Sequence, residues 1–155
     1  MVLGGVAIPD SPGLAGHSDG DAVIHAVIDA ILGAASLGSI GTRFPDTDPD
    51  FAGADSLLLL EHSVRLLETE NYQIVNVDVT VITESPRIAP YAERMAERLA
   101  EKLHVASSGV SVKGKTNEGL GWIGRGEGLA TMAVVVIDQM HDIDAFLASI
   151  RSGGG

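Results

Sequence analysis

The alternation of hydrophobic and polar positions changes period several times along the chain, and each change marks an element. From Ala22 to Ala35 every position is apolar except His25 and Asp29, with one glycine at Gly33. A helix of that composition has little solvent face and is expected inside the fold. Residues 54–70 repeat Leu57, Leu60, Val64 and Leu67 at helical spacing, with Glu61, Arg65 and Glu68 turned outward and Asn71 as the stop. Residues 73–83 alternate strictly: Val75, Val77, Val79 and Val81 on one side, Asn76, Asp78 and Thr80 on the other. That is the pattern of a half-buried strand whose polar face needs solvent or a partner surface. Ser85-Pro86 ends it, and residues 90–103 predict an amphipathic helix of alternating charge. Residues 110–116 alternate again, exposing Ser111, Lys113 and Lys115, and residues 129–138 predict a near-continuous buried strand.

Weaker signals fill the gaps. Residues 3–9 predict a short first strand, 9–16 a turn-rich segment, 38–53 a loop, 119–128 a glycine-rich segment and 141–150 a short terminal helix. The closing Ser-Gly-Gly-Gly predicts a flexible tail over 151–155, after a single domain over 1–150 with no linker or repeat. The order of strands and helices suggests an α/β or α+β sandwich with helices layered on a sheet. With one Trp, two Tyr and three Phe, the core must be built from Val, Ile, Leu and Ala. Cysteine is absent, which excludes disulfides and thiolate metal ligands and fits a reducing compartment. No apolar run suits a membrane span and none reads as a leader, so a cytoplasmic protein without membrane contact is expected. The formal net charge of −11 argues against holding nucleic acid on a general basic surface. It leaves room for an anionic small molecule, provided local basic groups or a bound cation reverse the field in the site.

The densest chemistry lies in residues 16–37, GHSDGDAVIHAVIDAILGAASL. Asp21, His25 and Asp29 are four residues apart and so share one stripe of the helix. Burying such groups is costly unless they pair with each other, a metal ion or a polar substrate. Ser18 and Asp19 are candidate N-caps, and His17 would stand outside the positive helix end, where an anion is welcome. A core helix with a satisfied histidine is the plainer alternative; five Asp, His or Ser residues among the nine from His17 to His25 favour a site. FPDTDPD, read alone, is a solvated acidic turn. GLGWIGRGEG carries five glycines beside Arg125, a loop whose amides can approach phosphate while the guanidinium makes a forked contact. Lys115, Thr116 and Glu118 follow a strand, and Pro86-Arg87 sits at a strand-to-helix junction. Together these pieces suggest a phosphorylated substrate held by amides, Arg87 and Arg125, with a metal near His25.

In combination, GHSDGDAVIHAVIDAILGAASLG, FPDTDPDFAGADS, NVDVTVI with Pro86-Arg87, and KTNEGLGWIGRGEG resemble the 2-C-methyl-D-erythritol 2,4-cyclodiphosphate synthase family, in register from Gly4 to about Ile137. The resemblance implies an α+β single-domain sandwich, a mixed β-sheet with helices layered on one face, assembling as a homotrimer with sites between subunits. It implies a phosphorus–oxygen lyase of non-mevalonate isoprenoid biosynthesis. Such an enzyme turns 4-diphosphocytidyl-2-C-methyl-D-erythritol 2-phosphate into the 2,4-cyclodiphosphate and CMP. Zinc or a similar divalent cation, and magnesium or manganese, are the implied cofactors. His25 takes the place of a zinc ligand, and Glu118 that of the magnesium ligand. His17 and Thr116 take the places of transition-state stabilisers, with Ser18 beside His17 on phosphate. Ser39, Ile40, Gly41, Phe44, Pro45, Asp46, Thr47 and Asp48 match the methylerythritol site. Thr83, Glu84, Ser85, Pro86, Arg87, Ile88 and Ala89, with Lys115, Thr116, Asn117 and Glu118, match the cytidine-diphosphate pocket. Trp122 takes an aromatic position and Arg125 that of a phosphate-binding arginine, while Asp21 and Asp29 are expected to orient His25 and nearby donors.

Two departures qualify the match. The family's Gly-x-Asp-x-His strand, with two further zinc ligands, has no counterpart after Met1, so a shortened chain with one ligand of three is expected. Ser39 stands where the family usually has an aspartate; it can exchange hydrogen bonds but carries no charge. Two other classes set the comparison: a non-catalytic trimeric nucleotide-binding relative without the zinc site, and a metal-dependent phosphatase, which would release inorganic phosphate in place of CMP.

Overall fold

The strictly alternating segment becomes the central strand of a mixed sheet. In a computed structural model that describes residues 1–9, 11, 13, 20–45, 47–48 and 54–140, it forms β3, Tyr72–Ile82. It is paired in parallel with β4, which in this numbering is Val110–Lys115, and antiparallel with β5, Ala130–Gln139. Three helices cover one face of this sheet: α1, Ala22–Ala34; α3, Ser56–Thr69; and α4, Ala92–Leu103. Short helices α2, Ile40–Arg43, and α5, Gly121–Gly124, lie in the connections. Val77, Val79 and Val81 are fully buried beneath the helices, against Ile28, Leu60 and Leu99 among others of one core. The result is an α+β sandwich with helices on one side of a mixed sheet, as expected.

Three expectations are corrected. Val75 is half exposed at 51%, and Ile74 takes the core face in its place. Ile74 pairs with Ile137 and Asn76 with Val136, so Val75 is the extra residue of a β-bulge. The bulge shifts the alternation by one position, which no count of apolar spacing reveals. The strand expected to be buried on both faces, β5, exposes Met132 at 63%, Val134 at 63% and Val136 at 47%. It is an edge strand, and the helices cover only its other side, which rests on α1. The single strand expected over 3–9 is instead a hairpin, β1 Val2–Leu3 and β2 Val6–Ala7. Gly4 and Gly5, at φ 57° and 70°, reverse the chain between them in the conformation that two-residue hairpins favour.

Helix α1 buries Val23, Ile24, Val27, Ile28, Ile31 and Leu32, but it is not enclosed all round: His25 is half-buried and Asp29 and Gly33 are exposed. Its N-cap is Asp21, not Ser18 or Asp19, which lie outside the described residues. The Asp21 carboxylate, fully buried, accepts backbone N–H groups from both ends of a long-range contact. Oδ1 receives Gly4 at 2.8 Å and Val23 and Ile24 at 3.1 Å, while Oδ2 receives Gly5 at 2.8 Å. One side chain therefore caps the helix and ties down the hairpin turn. Helix α3 is capped by Asp55, whose carboxylate accepts from the Leu57 amide at 2.9 Å, and Asn71 ends it at φ 64°. The expected terminal helix over 141–150 and the tail fall outside the described residues.

Helices α3 and α4 are tethered by Lys102 and Glu61. Hydrogen bonding to Lys102 holds Glu61 below its ordinary 4.5, and the same bond to Glu61 holds Lys102 above its ordinary 10.5. A depressed acid contributes stability that is present above its unfolded pKa and lost as pH falls through the folded one. A raised base contributes stability that is present below its unfolded pKa and lost as pH rises through the folded one. The tether therefore acts between these two limits. Lys102→Met should lower the melting temperature by no more than about 3 °C at neutral pH, since solvated pairs contribute little. The difference should vanish in strong acid; a loss independent of pH would assign the effect to packing. Asp21→Ala should cost about 3 kcal/mol in urea unfolding, because it strips the cap and leaves buried amides without an acceptor.

Candidate active site

Parallel pairing places Ile82, at the end of β3, opposite Lys115, at the end of β4. The chain segments that leave these two strands consequently start side by side, and the Thr83 amide extends the ladder to the Lys115 carbonyl at 2.9 Å. Between them lies a cleft of about 240 Å³ lined by Thr83, Glu84, Pro86, Arg87, Ile88, Ala89, Gly114, Lys115 and Thr116. The first segment is shaped by its own bonds: the Thr83 hydroxyl donates to the Ser85 carbonyl at 2.7 Å, ahead of a cis Ser85–Pro86 bond. Arg87 and Lys115 make the rim cationic in a strongly acidic protein, the local reversal an anionic ligand needs.

The second segment turns sharply after Thr116. The Thr116 hydroxyl donates to Glu118 Oε1 at 3.0 Å, and Glu118 sits at φ 51°. Asn117 Nδ2 donates to the Leu120 carbonyl at 2.6 Å, and the Leu120 amide returns to the Asn117 carbonyl at 2.9 Å. α5 follows with Trp122, half exposed, and then Arg125. The Arg125 guanidinium forks onto Glu127, Nε to Oε1 at 2.6 Å and Nη2 to Oε2 at 3.1 Å. In this chain its bidentate contact is thus made to a carboxylate of the same loop.

A second group of expected residues gathers elsewhere, where α1 meets α2 and α3. His25 Nε2 lies 3.1 Å from the Ser56 hydroxyl. Asp29 Oδ1 accepts the Ile40 amide at 2.7 Å, and the Ser39 amide donates to the Thr42 hydroxyl at 2.9 Å. Gly41 lies within α2, and Phe44, Pro45, Thr47 and Asp48 follow it, with Phe44 buried edge-on to His62 at a ring separation of 6.4 Å. None of these residues lines the cleft between β3 and β4. Asp21 and Asp29, expected to orient His25 and nearby donors, accept backbone amides of the hairpin, of α1 and of α2. His17, Ser18 and Asp46 lie outside the described residues.

Comparison with known proteins gives this arrangement a family. The YgbB family profile matches residues 1–138. The chain belongs to the YgbB family. Over 137 residues it is 56% identical to the 2-C-methyl-D-erythritol 2,4-cyclodiphosphate synthase of Gemmatimonas aurantiaca, covering 88% of this chain and 82% of that one. Over 140 residues it is 51% identical to the synthase of the same name from Chloroherpeton thalassium, covering 90% and 89%. Among solved structures, the CDP complex of IspF from Plasmodium falciparum matches with a TM-score of 0.81 at 35% identity, over 91% of this chain and 85% of that one.

For a YgbB chain, the donor set available to a zinc-type ion is thin in the described part. His25 offers one imidazole, and among the described residues no three His, Cys, Asp or Glu side chains come together. A catalytic zinc takes three protein ligands, so the described residues alone do not fit that ion. Glu118 differs: one exposed carboxylate is what magnesium asks of a protein when phosphates and waters complete its shell.

Two glycines are fixed by close approach: Gly114, which was not singled out in the sequence, and Gly124 of the glycine-rich segment. Gly114 lines the cleft, and a Cβ there would come within 2.9 Å of the Ile88 Cβ. Its signal was legible, since a glycine inside an alternating strand marks a close approach. Gly124 is tighter still, with a Cβ falling 2.1 Å from the Gly119 carbonyl carbon. Gly124→Ala should force the 119–124 turn open and cost about 2 kcal/mol in urea unfolding, as overpacked sites do. An unchanged midpoint would mean the turn is not closed as described.

Proposed function

We propose that the chain works as a 2-C-methyl-D-erythritol 2,4-cyclodiphosphate synthase, with the cleft between β3 and β4 holding the cytidine diphosphate half of its substrate. The observation that carries this is the convergence of residues 83–89 with 114–116 at the carboxyl ends of two parallel strands, where ligands of such sheets bind. The CDP complex of a structurally similar relative supports it. In this reading Thr83, Glu84, Ser85, Pro86, Arg87, Ile88 and Ala89 form one wall, and Lys115, Thr116, Asn117 and Glu118 the other. Ser39, Ile40, Gly41, Phe44, Pro45, Asp46, Thr47 and Asp48, with His17 and Ser18, receive the methylerythritol phosphate. Trp122 and Arg125 close the phosphate end.

The reaction needs no protein nucleophile. An oxygen of the 2-phosphate forms a bond to the β-phosphorus, the bond from that phosphorus to the α-phosphate oxygen breaks, and CMP leaves carrying that oxygen. The chain folds a highly anionic substrate back on itself and holds attacking oxygen and phosphorus in line. Arg87 and Lys115 offset the charge at the cleft, while His17 and Thr116 donate to the transferring group. Divalent cations, when bound, would neutralise phosphate charge: magnesium or manganese on Glu118, and zinc or a similar ion on His25 together with ligands beyond the described residues.

Assembly as a homotrimer accounts for two features. The methylerythritol group and the cleft are separate within one chain, and sites between subunits would join them. Met132, Val134 and Val136 expose a row of apolar side chains beside the polar row of Asn76, Asp78 and Thr80. Large exposed apolar surface of this kind marks association. Sedimentation should find a trimer at micromolar concentration, and Val134→Asp should dissociate it; a stable monomer in the parent protein would refute this.

The activity is tested by incubating the protein with the diphosphocytidyl substrate, magnesium and zinc. CMP should appear with the cyclic product, and Thr116→Ala should slow its release on the order of a hundredfold, the scale of losing one transition-state donor. Release of inorganic phosphate without CMP would favour a phosphatase. Calorimetry should show CDP bound in preference to ADP; equal affinities would remove the cytidine assignment.

A further inference from the structure

Glu84 lines the cleft, yet its carboxylate is turned onto the neighbouring loop. A single oxygen, Oε1, accepts the backbone N–H of Asn117 at 2.9 Å and that of Gly119 at 3.1 Å. These amides flank Glu118, whose φ of 51° is a left-handed conformation that costs energy for any residue with a Cβ. Such a residue persists where its surroundings over-determine it. Here one acceptor fixes the backbone on both sides of it. The loop so held carries the hydrogen bond from Thr116 to Glu118, and thereby the direction of the Glu118 carboxylate.

We infer that Glu84 is a positioning residue: it acts through the backbone of 117–119 to set Thr116 and Glu118, and does not itself recognise the nucleotide. The inference rests on the cleft being the nucleotide site. It separates Glu84 from the rest of the 83–89 wall, because its distinguishing property is an acceptor at one point in space. A negative charge is not required there. Glutamine keeps an acceptor oxygen at that point; alanine removes it; aspartate keeps the charge but withdraws the oxygen by one methylene.

The test uses the full chain, with CDP as the probe in calorimetry and hydrogen exchange of individual backbone amides measured without nucleotide. Glu84→Ala and Glu84→Asp should each lose exchange protection at Asn117 and Gly119. Both should bind CDP on the order of tenfold more weakly, as the loss of these two backbone contacts, each of modest net worth, lets the loop move. Glu84→Gln should stay within about threefold of the parent and keep both amides protected. The inference is overturned if Glu84→Ala leaves those amides protected. It is equally overturned if Glu84→Gln binds CDP as weakly as Glu84→Ala while its amides stay protected, since the charge would then touch the nucleotide. If Glu84→Ala fails to fold, the aspartate and glutamine variants decide between the same outcomes. If the parent binds no CDP, the nucleotide reading of the cleft fails, and the exchange measurements still decide the clamp.

Discussion

The parallel pairing of β3 with β4 is the constraint from which the candidate site follows. Two parallel neighbours end at the same edge of a sheet, so whatever follows each strand must begin next to the other. Ile82 faces Lys115 across the ladder, and the 83–89 and 116–119 segments inherit that proximity although residues 90–115, α4 among them, separate them in sequence. An antiparallel arrangement of the same strands would carry Thr116 to the opposite edge and leave no cleft. β5, antiparallel to β3 on the other side, begins at that same edge, with Ala130 facing Ile82, so the glycine-rich segment that leads into it arrives there too.

Side chains then stiffen what the topology brings together, and acidic residues do much of it by accepting backbone amides. Asp21 joins the hairpin to the start of α1, Asp29 holds the start of α2, Asp55 caps α3, and Glu84 spans the loop beyond β4. Part of the acidic excess of the chain is therefore structural, with carboxylates consumed by amides. The ion pair of Lys113 with Asp78 on the outer sheet face works in the same direction: its hydrogen bond holds the Asp78 carboxyl below its ordinary value of 3.8. That face also carries the uncovered apolar row of β5, which gives the sheet one side built for its own helices and one suited to a second surface.

Much of this was legible in the sequence, and the failures have physical causes. The helices over Ala22–Ala34, Ser56–Thr69 and Ala92–Leu103 follow from periodicity and stop signals, because local propensity and burial agree there. The phase of β3 before Asn76 did not, because a bulge is a decision of the paired strands and leaves no trace in spacing alone. The exposure of Met132 and Val134 was missed for a similar reason: an apolar run reads as buried, and only the packing shows that helices cover one face of β5 and leave the other open. Resemblance grouped 83–89 with 115–118, and Thr83, Glu84, Pro86, Arg87, Ile88, Ala89, Lys115 and Thr116 of these line one cleft. The bonds of Asp21 and Asp29 to backbone amides were not foreseen, since spacing along one helix says nothing about amides arriving from a distant hairpin or from α2. Arg125 was expected to fork onto phosphate; the fork seen in this chain lies on Glu127, a partner two residues away that the glycine-rich pattern did not suggest.

The account stands or falls on the identity of the cleft between β3 and β4. A crystal structure of the protein grown with saturating CDP measures this most directly. The account predicts the cytosine ring against the 83–89 wall and Gly114, with the diphosphate directed towards Lys115 and Thr116. An ordered CDP bound elsewhere while this cleft stays empty would contradict it.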